Sequence, residues 1–428
     1  MTTEDLTKRL KAWRRDFHKY PELGFLEMRT ASLVARELSS LGFSLQLGEE
    51  VMEKSAVMGR PTEREIEEQV RWAKDHGADV EFLPYFQEGY TGIVATLETG
   101  REGPTVAFRV DMDALPIHET EKPGHVPNQE GFRSIVPGKM HACGHDAHTA
   151  IGLGLATLLK EQVNELSGTI KLIFQPAEEG TRGAKAMAEA GVVDDVDYFI
   201  ASHIGMDVPL GHFVASNNGF LATTKMDVTF KGRSSHAGGA PEEGKDALLA
   251  AATATLNIHA IPRHSAGASR VNVGELHAGS GRNIIPDKAE MIIEMRGETS
   301  EINEYVKEQV ESVLRGAATM YNNEVEIEIV GEALNSRCSK ELAEIIHNVA
   351  GKHPFIEETV LENSGSSGSE DATYFMEAVK KRGGLATYVI FGTDLAAGHH
   401  HEEFDINEEV LLPAVEVLSG VAKKLGEK

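Results

Sequence analysis

The densest cluster of possible metal ligands lies in the stretch MHACGHDAHT, residues 140–149. Between His141 and His148 it holds three histidines, one cysteine and one aspartate, directly before an apolar run typical of a helix. Burying so many polar side chains is costly unless something binds them, and this mixture of ligand atoms suits a transition metal better than magnesium or calcium. The competing interpretation is a polar helix start, in which Asp146 complements the helix dipole and the histidines are solvated.

Further candidate ligands follow segments that read as β-strands. They are Glu178 and Glu179 after residues 168–174, His203 after 197–201, and one of His399, His400 or His401 after 386–391. In open α/β sheets, ligand sites gather beyond the carboxyl ends of the strands. We therefore expect these side chains to meet the 140–149 stretch at one edge of a sheet.

Together with Cys143 and His145, these segments supply five candidate ligands. Five is one more than a closed tetrahedral site usually takes, and it fits two ions about 3.5–4 Å apart that share a bridging group and a water. Such a pair lowers the pKa of water toward about 7 and polarises a carbonyl oxygen. Because neighbours in an extended segment point in opposite directions, one of Glu178 and Glu179 can bind metal while the other acts as a general base. Alone, the paired glutamates would instead indicate a solvated turn.

Composition excludes several classes of protein. The chain has 428 residues, of which 41% are hydrophobic and 25% charged, as expected for a soluble globular protein of two domains. Its formal net charge of −25 argues against nonspecific nucleic-acid binding, so an anionic substrate would need a local cationic pocket. No apolar run approaches the roughly 18 residues of a membrane span, the N-terminus lacks a signal core, and the cysteines number only two. We expect a cytoplasmic protein without membrane or nucleic-acid partners.

The elements that must position these residues are strands that alternate with helices. This alternation is interrupted by one segment with another order of elements. Residues 219–331 read as strand, helix, strand, strand, helix, strand, which is the order of a ferredoxin-like unit. We therefore predict an α/β protein whose metal-binding catalytic domain is discontinuous, 1–218 and 332–428, with an inserted α+β domain at 219–331. Residues 61–76 predict a charged, solvated helix, and the Gly/Ser-rich stretch 363–369 predicts an ordered loop.

Once these residues are aligned, the chain resembles the two-metal amidohydrolases and peptidases of the aminoacylase and carboxypeptidase-G superfamily. It is most similar to the branch that holds hippurate hydrolase and the auxin-conjugate amidohydrolases. The matching segments, spread from residue 13 to 404, are WRRDFHKYPELGF, RVDMDALP, MHACGHDAHTA, IFQPAEEGTRGA, SHI, SSHAG, GSGRNIIP, GSEDA and HHHEEF. The resemblance implies a three-layer catalytic domain on a mixed sheet and an inserted domain that serves as lid and in dimerisation.

The resemblance also implies roles for single residues of the catalytic domain. It makes Glu178 the general base, and it makes metal ligands of Cys143, His145, Glu179, His203 and His400. In this branch the last histidine ligand lies four residues before a phenylalanine, here Phe404, although His399 and His401 remain alternatives. Arg109 stands where related families carry a histidine ligand, so Asp111 would orient a ligand rather than bind metal.

Three residues of the inserted domain receive roles in the same way. His236 matches a histidine that reaches into the site of a neighbouring subunit, where it would stabilise the tetrahedral oxyanion. Asn283 and Arg296 match residues that hold the carboxylate of the substrate, with Arg282 as a third candidate. The alternative for Arg296 is an ordinary surface residue of a strand.

The activity that the resemblance implies is hydrolysis of the amide between an aromatic acyl group and glutamate, as in p-aminobenzoyl-glutamate, a folate breakdown product. Glu178 would deprotonate a water that bridges two divalent ions, manganese or zinc, and pass the proton to the leaving amine. Other N-acyl amino acids, hippurate-like conjugates and dipeptides are alternative substrates. The implied assemblies are a homodimer, or a heterodimer with a homologous B-type subunit that the chain needs for activity.

Overall fold

The computed structural model describes residues 1–365 and 368–427, so that Ser366 and Ser367 of the predicted Gly/Ser loop lie outside the described residues. The protein consists of two compact units. The larger unit is formed by Met1–Asn218, Ser336–Gly365 and Asp371–Lys428, and the smaller unit by Gly219–Asn335 and Ser366–Glu370. The smaller unit therefore interrupts the larger one in sequence.

Strands and helices occur in both units. In chain order the strands are β1 (Ser44–Leu47), β2 (Ile93–Glu98), β3 (Thr105–Asp111), β4 (Thr169–Gln175), β5 (Tyr198–Ile204), β6 (His212–Val214), β7 (Ala222–Lys231), β8 (Ser269–Ala278), β9 (Lys288–Gly297), β10 (Glu324–Ala333), β11 (Glu358–Val360) and β12 (Leu385–Phe391). The α-helices are α1 (Thr3–Lys19), α2 (Met28–Ser40), α3 (Glu63–Asp75), α4 (Val126–Gln129), α5 (His145–Glu161), α6 (Ala184–Glu189), α7 (Ala247–His259), α8 (Ser300–Met320), α9 (Lys340–Ala350), α10 (Thr373–Lys381) and α11 (Leu411–Gly426).

The larger unit is built on an eight-stranded mixed sheet of order β1-β2-β4-β3-β5-β12-β6-β11. Strand β3 is parallel to β4 and β5, and β5 is parallel to β12, whereas β2 is antiparallel to β1 and β4. Every residue of β3 from Val106 to Asp111 is buried, so both faces of the sheet are covered. Helix α5 packs on β3 and against α1 and α11, while α10 packs on β5 and β12. The predicted α/β class is confirmed.

The parallel centre of this sheet determines where the candidate ligands lie. Strands β3, β4, β5 and β12 run in the same direction, so their carboxyl ends meet at one edge. Asp111 ends β3, Gln175 ends β4 shortly before the paired glutamates, and His203 is the penultimate residue of β5. Residues far apart in the sequence are thus brought to the same place.

The smaller unit has a four-stranded antiparallel sheet of order β10-β7-β9-β8. In chain order its elements are β7, α7, β8, β9, α8 and β10, the order that the sequence predicts for this segment. Alternate residues of β9 are buried, among them Met291, Ile293 and Met295, and these form a core with the apolar sides of α7 and α8. This unit therefore has a hydrophobic core of its own.

The N-terminal region departs from its prediction in one respect. Helix α1 ends at Lys19, shortly before Pro21, and helix α3 begins at a capping box formed by Thr62 and Glu65. However, α3 is not simply solvated, because Ile66 and Gln69 are buried and the Gln69 side chain donates a 2.8 Å hydrogen bond to Glu22. The prediction of a merely solvated helix is wrong on this face, since helical spacing puts one apolar stripe inside.

Three short strands, β1, β6 and β11, are not among the predicted elements. Each has only three or four residues, which is too few for the alternation that identifies a strand. In the described part of the chain, no helix combines the length and the apolar character that crossing a bilayer requires.

Candidate metal centre

A tight turn at the start of α5 positions two of the predicted ligands, Cys143 and His145. Gly144, between them, has a φ of +97°, a left-handed conformation that favours glycine. A Cβ atom at this position would also lie 2.8 Å from the side chain of Ile204. The HACGH sequence therefore needs its glycine to turn from an extended segment directly into the helix.

The other predicted ligands approach from three further segments. Glu179 follows β4 through Ala177, whose φ is +50°, and His203 is a residue of β5. His400 also has a left-handed backbone, with a φ of +64°, and its main-chain N–H donates to the carbonyl oxygen of Ala142 at 2.7 Å. That bond ties the histidine triplet to the stretch that precedes α5.

The predicted ligands come together with ligand atoms within 4.8 Å of one another. The groups that contain predicted ligands, each with its ligand atoms within 4.8 Å of one another, are Cys143 with Glu179 and His400, His145 with Glu178 and Glu179, Cys143 with His203 and His399, and His145 with His148 and His203. Each of the five predicted ligands belongs to at least one group, and the groups share members. This arrangement suits more than one ion better than a single closed site.

Hydrogen bonds to the ring nitrogens indicate which histidines can offer a lone pair to a metal. His203 Nδ1 lies 2.7 Å from the carbonyl oxygen of Ile204 and must donate, which leaves its Nε2 lone pair available 3.5 Å from the Cys143 sulfur. His145 Nδ1 lies 3.2 Å from Asp113 Oδ1, so its Nε2 is available as well. A carbonyl or carboxylate behind the ring is the usual partner of a metal-binding histidine.

Two other histidines of these groups have no lone pair left when neutral. His148 Nε2 accepts the N–H of Ile204 at 3.0 Å, while its Nδ1 lies 2.6 Å from Asp111. His399 Nε2 accepts the N–H of Met206 at 3.1 Å, and burial together with nearby His148 lowers its pKa to about 4. His401 belongs to none of the groups found among the described residues. The geometry therefore favours His400 within the triplet.

The electrostatics of the cluster call for a cation. Burial raises the pKa of the Cys143 thiol, and the charge of Glu179 raises it further, so the thiolate needs a nearby positive charge. Burial, with His148 and His399, lowers the pKa of His203 well below its ordinary value and keeps the ring neutral. His145 Nε2 and Glu179 Oε1 are buried inside the cluster, where Glu179 Oε1 lies 3.3 Å from His400 Nε2. A divalent ion held by thiolate, imidazole and carboxylate would satisfy these atoms.

Asp111 and Asp113 divide the supporting role that the sequence assigned to Asp111 alone. Asp111 accepts from His148 and from Arg109 at 2.8 Å, but its oxygen is 3.7 Å from His145 Nδ1. Asp113 makes the shorter contact with His145. The sequence analysis gave Asp113 no role. Asp113 lies two residues after Asp111 in RVDMDALP, and side chains two residues apart in an extended segment point to the same side. Its position could therefore have indicated that it lies beside Asp111.

The smaller unit brings two of its three predicted residues together. His236 and Ile284 form an isolated antiparallel bridge, and the N–H of Ala237 donates to the carbonyl oxygen of Asn283 at 3.0 Å. His236 and Asn283 are both exposed. Arg296 lies on β9, where its guanidinium is 2.7 Å from the carboxylate of Glu294.

Comparison with known proteins assigns the family. Residues 107–424 match the profile of "Peptidase family M20/M25/M40", which is well over half of the chain. The chain belongs to this family. The predicted resemblance to two-metal amidohydrolases and peptidases is confirmed, and so is the prediction of a metal-dependent amidohydrolase.

Two relatives in this family have the same degree of identity. The chain is 52% identical over 414 residues to indole-3-acetyl-aspartic acid hydrolase of Enterobacter agglomerans, covering 97% of this chain and 95% of the relative. It is 52% identical over 417 residues to the A-type subunit of p-aminobenzoyl-glutamate hydrolase from Escherichia coli strain K12, covering 97% and 96%. Both alignments include the larger and the smaller unit.

Solved structures show the same relationship. An aminobenzoyl-glutamate utilization protein from Klebsiella pneumoniae is 47% identical with a TM-score of 0.87, covering 98% of this chain and 96% of that one. A dinuclear metal-binding peptidase of the M20 family from Bacillus subtilis is 27% identical with a TM-score of 0.66, covering 98% of each chain. Family membership and this neighbour support divalent metal ions as cofactors.

Proposed function

We propose that this chain hydrolyses the amide bond between an aromatic acyl group and an acidic amino acid, with p-aminobenzoyl-glutamate as substrate. The observation that carries the proposal is the convergence of Glu178, Glu179 and His145 with a second group that contains Cys143. The substrate class is supported by the two relatives, since the name of each describes an aromatic acyl group joined to aspartate or glutamate. Because both are 52% identical to this chain, an N-acyl aspartate is the second candidate.

In the proposed reaction Glu178 is the general base. Its carboxylate is only partly exposed and its Oε2 lies 3.9 Å from His145 Nε2, at the side of the predicted ligands. Glu178 takes a proton from the attacking water and passes it to the leaving amine. Cys143, His145, Glu179, His203 and His400 would hold two divalent ions, manganese or zinc. When bound, such ions lower the pKa of water and polarise the carbonyl of the substrate.

The smaller unit supplies the groups that would recognise the rest of the substrate. His236 Nδ1 accepts the N–H of Gly238 at 3.1 Å, so in the neutral ring Nε2 carries the proton and can donate to an oxyanion. Asn283 and Arg296 would bind the carboxylate of the amino acid. Arg296 would then exchange its present partner Glu294 for the substrate.

A product-release assay tests the substrate class. The purified chain, loaded with Mn²⁺ or Zn²⁺, is given aroyl-glutamate, aroyl-aspartate, aroyl-glycine and acetyl-amino acids at matched concentrations. We expect kcat/KM to be highest for p-aminobenzoyl-glutamate. Preference for aroyl-aspartate would support the second candidate, whereas preference for aroyl-glycine or acetyl-amino acids would contradict an acidic leaving group.

We further propose that a second copy of this chain pairs with the smaller unit. Strand β8 is the edge of its sheet, and α7, which packs on β8, leaves Leu249 46% and Leu256 75% exposed. An edge strand beside an exposed apolar helix can pair with its own copy about a two-fold axis. The mass of the purified chain in solution tests the proposed homodimer, for which we expect twice the mass of one chain. A monomer that gains mass only when a homologous B-type subunit is added would support a heterodimer instead.

A further inference from the structure

We infer that Arg14 is a positioning residue that sets the spacing between the two proposed metal ions. Its guanidinium binds one carboxylate beside the proposed ligand His145 and another at the base of the loop that carries the proposed ligand His400. The inference rests on the ligand roles of the proposed function. It concerns a side chain of α1 that lies outside the ligand groups of the described residues.

The Arg14 guanidinium is divided among three carboxylates. Its Nε donates to Asp146 Oδ2 at 2.9 Å, and its Nη2 donates to Asp405 Oδ1 at 2.5 Å. Its Nη1 donates a longer hydrogen bond of 3.3 Å to Glu408 Oε1. Arg14, Asp146 and Asp405 are all buried, so water does not compete for the two shorter bonds. Hydrogen bonds between ionised partners of this kind are the strong ones in proteins.

The two buried carboxylates belong to the segments that carry His145 and His400. Asp146 directly follows His145, the first residue of α5. Asp405 lies where the chain closes the loop around His400, because its carbonyl oxygen accepts the N–H of Ala396 at 2.9 Å. Residues 395 and 406 form an isolated antiparallel bridge at the same place. One arginine therefore joins the helix start to the base of this loop.

The two ligands joined in this way would serve different ions. Among the described residues, no ligand group contains both His145 and His400. His400 groups with Cys143 and Glu179, whereas His145 groups with the glutamates or with other histidines. A pair of ions that shares a water needs a separation of about 3.5–4 Å. A shift of the loop relative to α5 would change that separation, and it would break a buried ionic bond of Arg14.

The test compares Arg14→Lys with a matched control, Arg29→Lys. Lysine keeps the charge but has no planar fork to bind several carboxylates at once. Arg29 is also a buried arginine, and its two terminal nitrogens each donate to Asp16 at 2.9 Å while Nε donates to the carbonyl oxygen of His76. Its partners thus lie on α1 and directly after α3, away from the ligand segments.

Mn²⁺ binding is followed by calorimetry and by the electron paramagnetic resonance signal of exchange-coupled Mn²⁺ pairs, with thermal midpoints measured beside them. We expect the wild type to bind two ions and show the coupled signal. In Arg14→Lys the affinity for the more weakly bound ion should fall by about 10- to 100-fold, and the coupled signal should weaken accordingly. Arg29→Lys should lower the thermal midpoint while both affinities and the coupled signal stay as in the wild type.

The inference is overturned if Arg14→Lys binds both ions as the wild type does, or if both variants lose affinity equally. Should Arg14→Lys not fold, Asp405→Asn removes the charge at the base of the loop and keeps its shape. Weaker binding of the second ion in folded Asp405→Asn supports the inference, and wild-type binding overturns it. A wild type that binds only one ion would instead contradict the proposed metal pair itself, so the two failures are distinguishable without any substrate.

Discussion

At the scale of single residues, the two glutamates after β4 have different tasks, and Glu178 is the one whose loss should affect the chemistry alone. Glu178→Gln keeps the shape of the side chain but removes the base. We expect kcat to fall by roughly 100- to 10,000-fold, the usual contribution of a general base, while metal content stays the same. Steady-state kinetics and elemental analysis of the purified variant measure both. Turnover near that of the wild type would remove Glu178 from the mechanism.

The two cysteines provide a matched pair at the same scale. Cys143 lies in two ligand groups, whereas the Cys338 sulfur lies 3.4 Å from the carbonyl oxygen of Asn217 and accepts the N–H of Tyr388. Because a thiolate is a soft ligand, we expect Cys143→Ser to weaken zinc binding more than manganese binding. Cys338→Ser should change neither. Isothermal titration with each ion distinguishes these results, and equal loss in both variants would contradict a ligand role for Cys143.

At the scale of elements, α1 is joined to the start of α5 by buried charges. Arg14 Nε donates to Asp146 Oδ2 at 2.9 Å, and His18 Nδ1 lies 2.8 Å from the same oxygen. His18 Nε2 lies 3.0 Å from Glu119. The N-terminal WRRDFHKYPELGF segment therefore supports the site, because its side chains bind Asp146 in the helix turn that carries His145.

The His18 contacts predict a pH dependence of stability. Burial alone would lower the pKa of His18, but Asp146 and Glu119 outweigh it and raise the pKa from 6.5 to about 9. Because the folded-state pKa is the higher one, the contribution of His18 to stability is complete below about pH 6.5 and is lost as the pH rises through about 9. Thermal midpoints of the wild type and His18→Gln should therefore converge between these pH values. A constant difference across that range would contradict a protonated His18.

At the scale of the whole molecule, the proposed dimer makes a prediction about complementation. If His236 acts in the site of a second chain, Glu178→Gln and His236→Ala should each be inactive alone, but a mixed dimer should contain one complete site. Co-expression with two affinity tags isolates the mixed dimer, and we expect partial recovery of kcat. An inactive mixed dimer would show that His236 does not act in the partner's site, whatever the substrate.

Prediction from the sequence succeeded where the signal was local and periodic. Helix α8 and strands β3 and β12 carry patterns that identify them without tertiary information. Strands β6 and β11 were missed because they are short and depend on pairing partners elsewhere. The buried face of α3 was missed because its partner, Glu22, lies in a distant segment.

The sequence by itself determined the family, the α/β class and the set of candidate ligands, because residue types and their spacing are local properties of the chain. Only the tertiary structure decided which nitrogen of each histidine faces the cluster. The main-chain N–H of Met206 donates to His399 and that of Ile204 donates to His148. The carboxylate in direct contact with His145 is that of Asp113, where the sequence analysis expected Asp111. Those choices depend on hydrogen bonds between segments that are distant in sequence, so no motif could have expressed them.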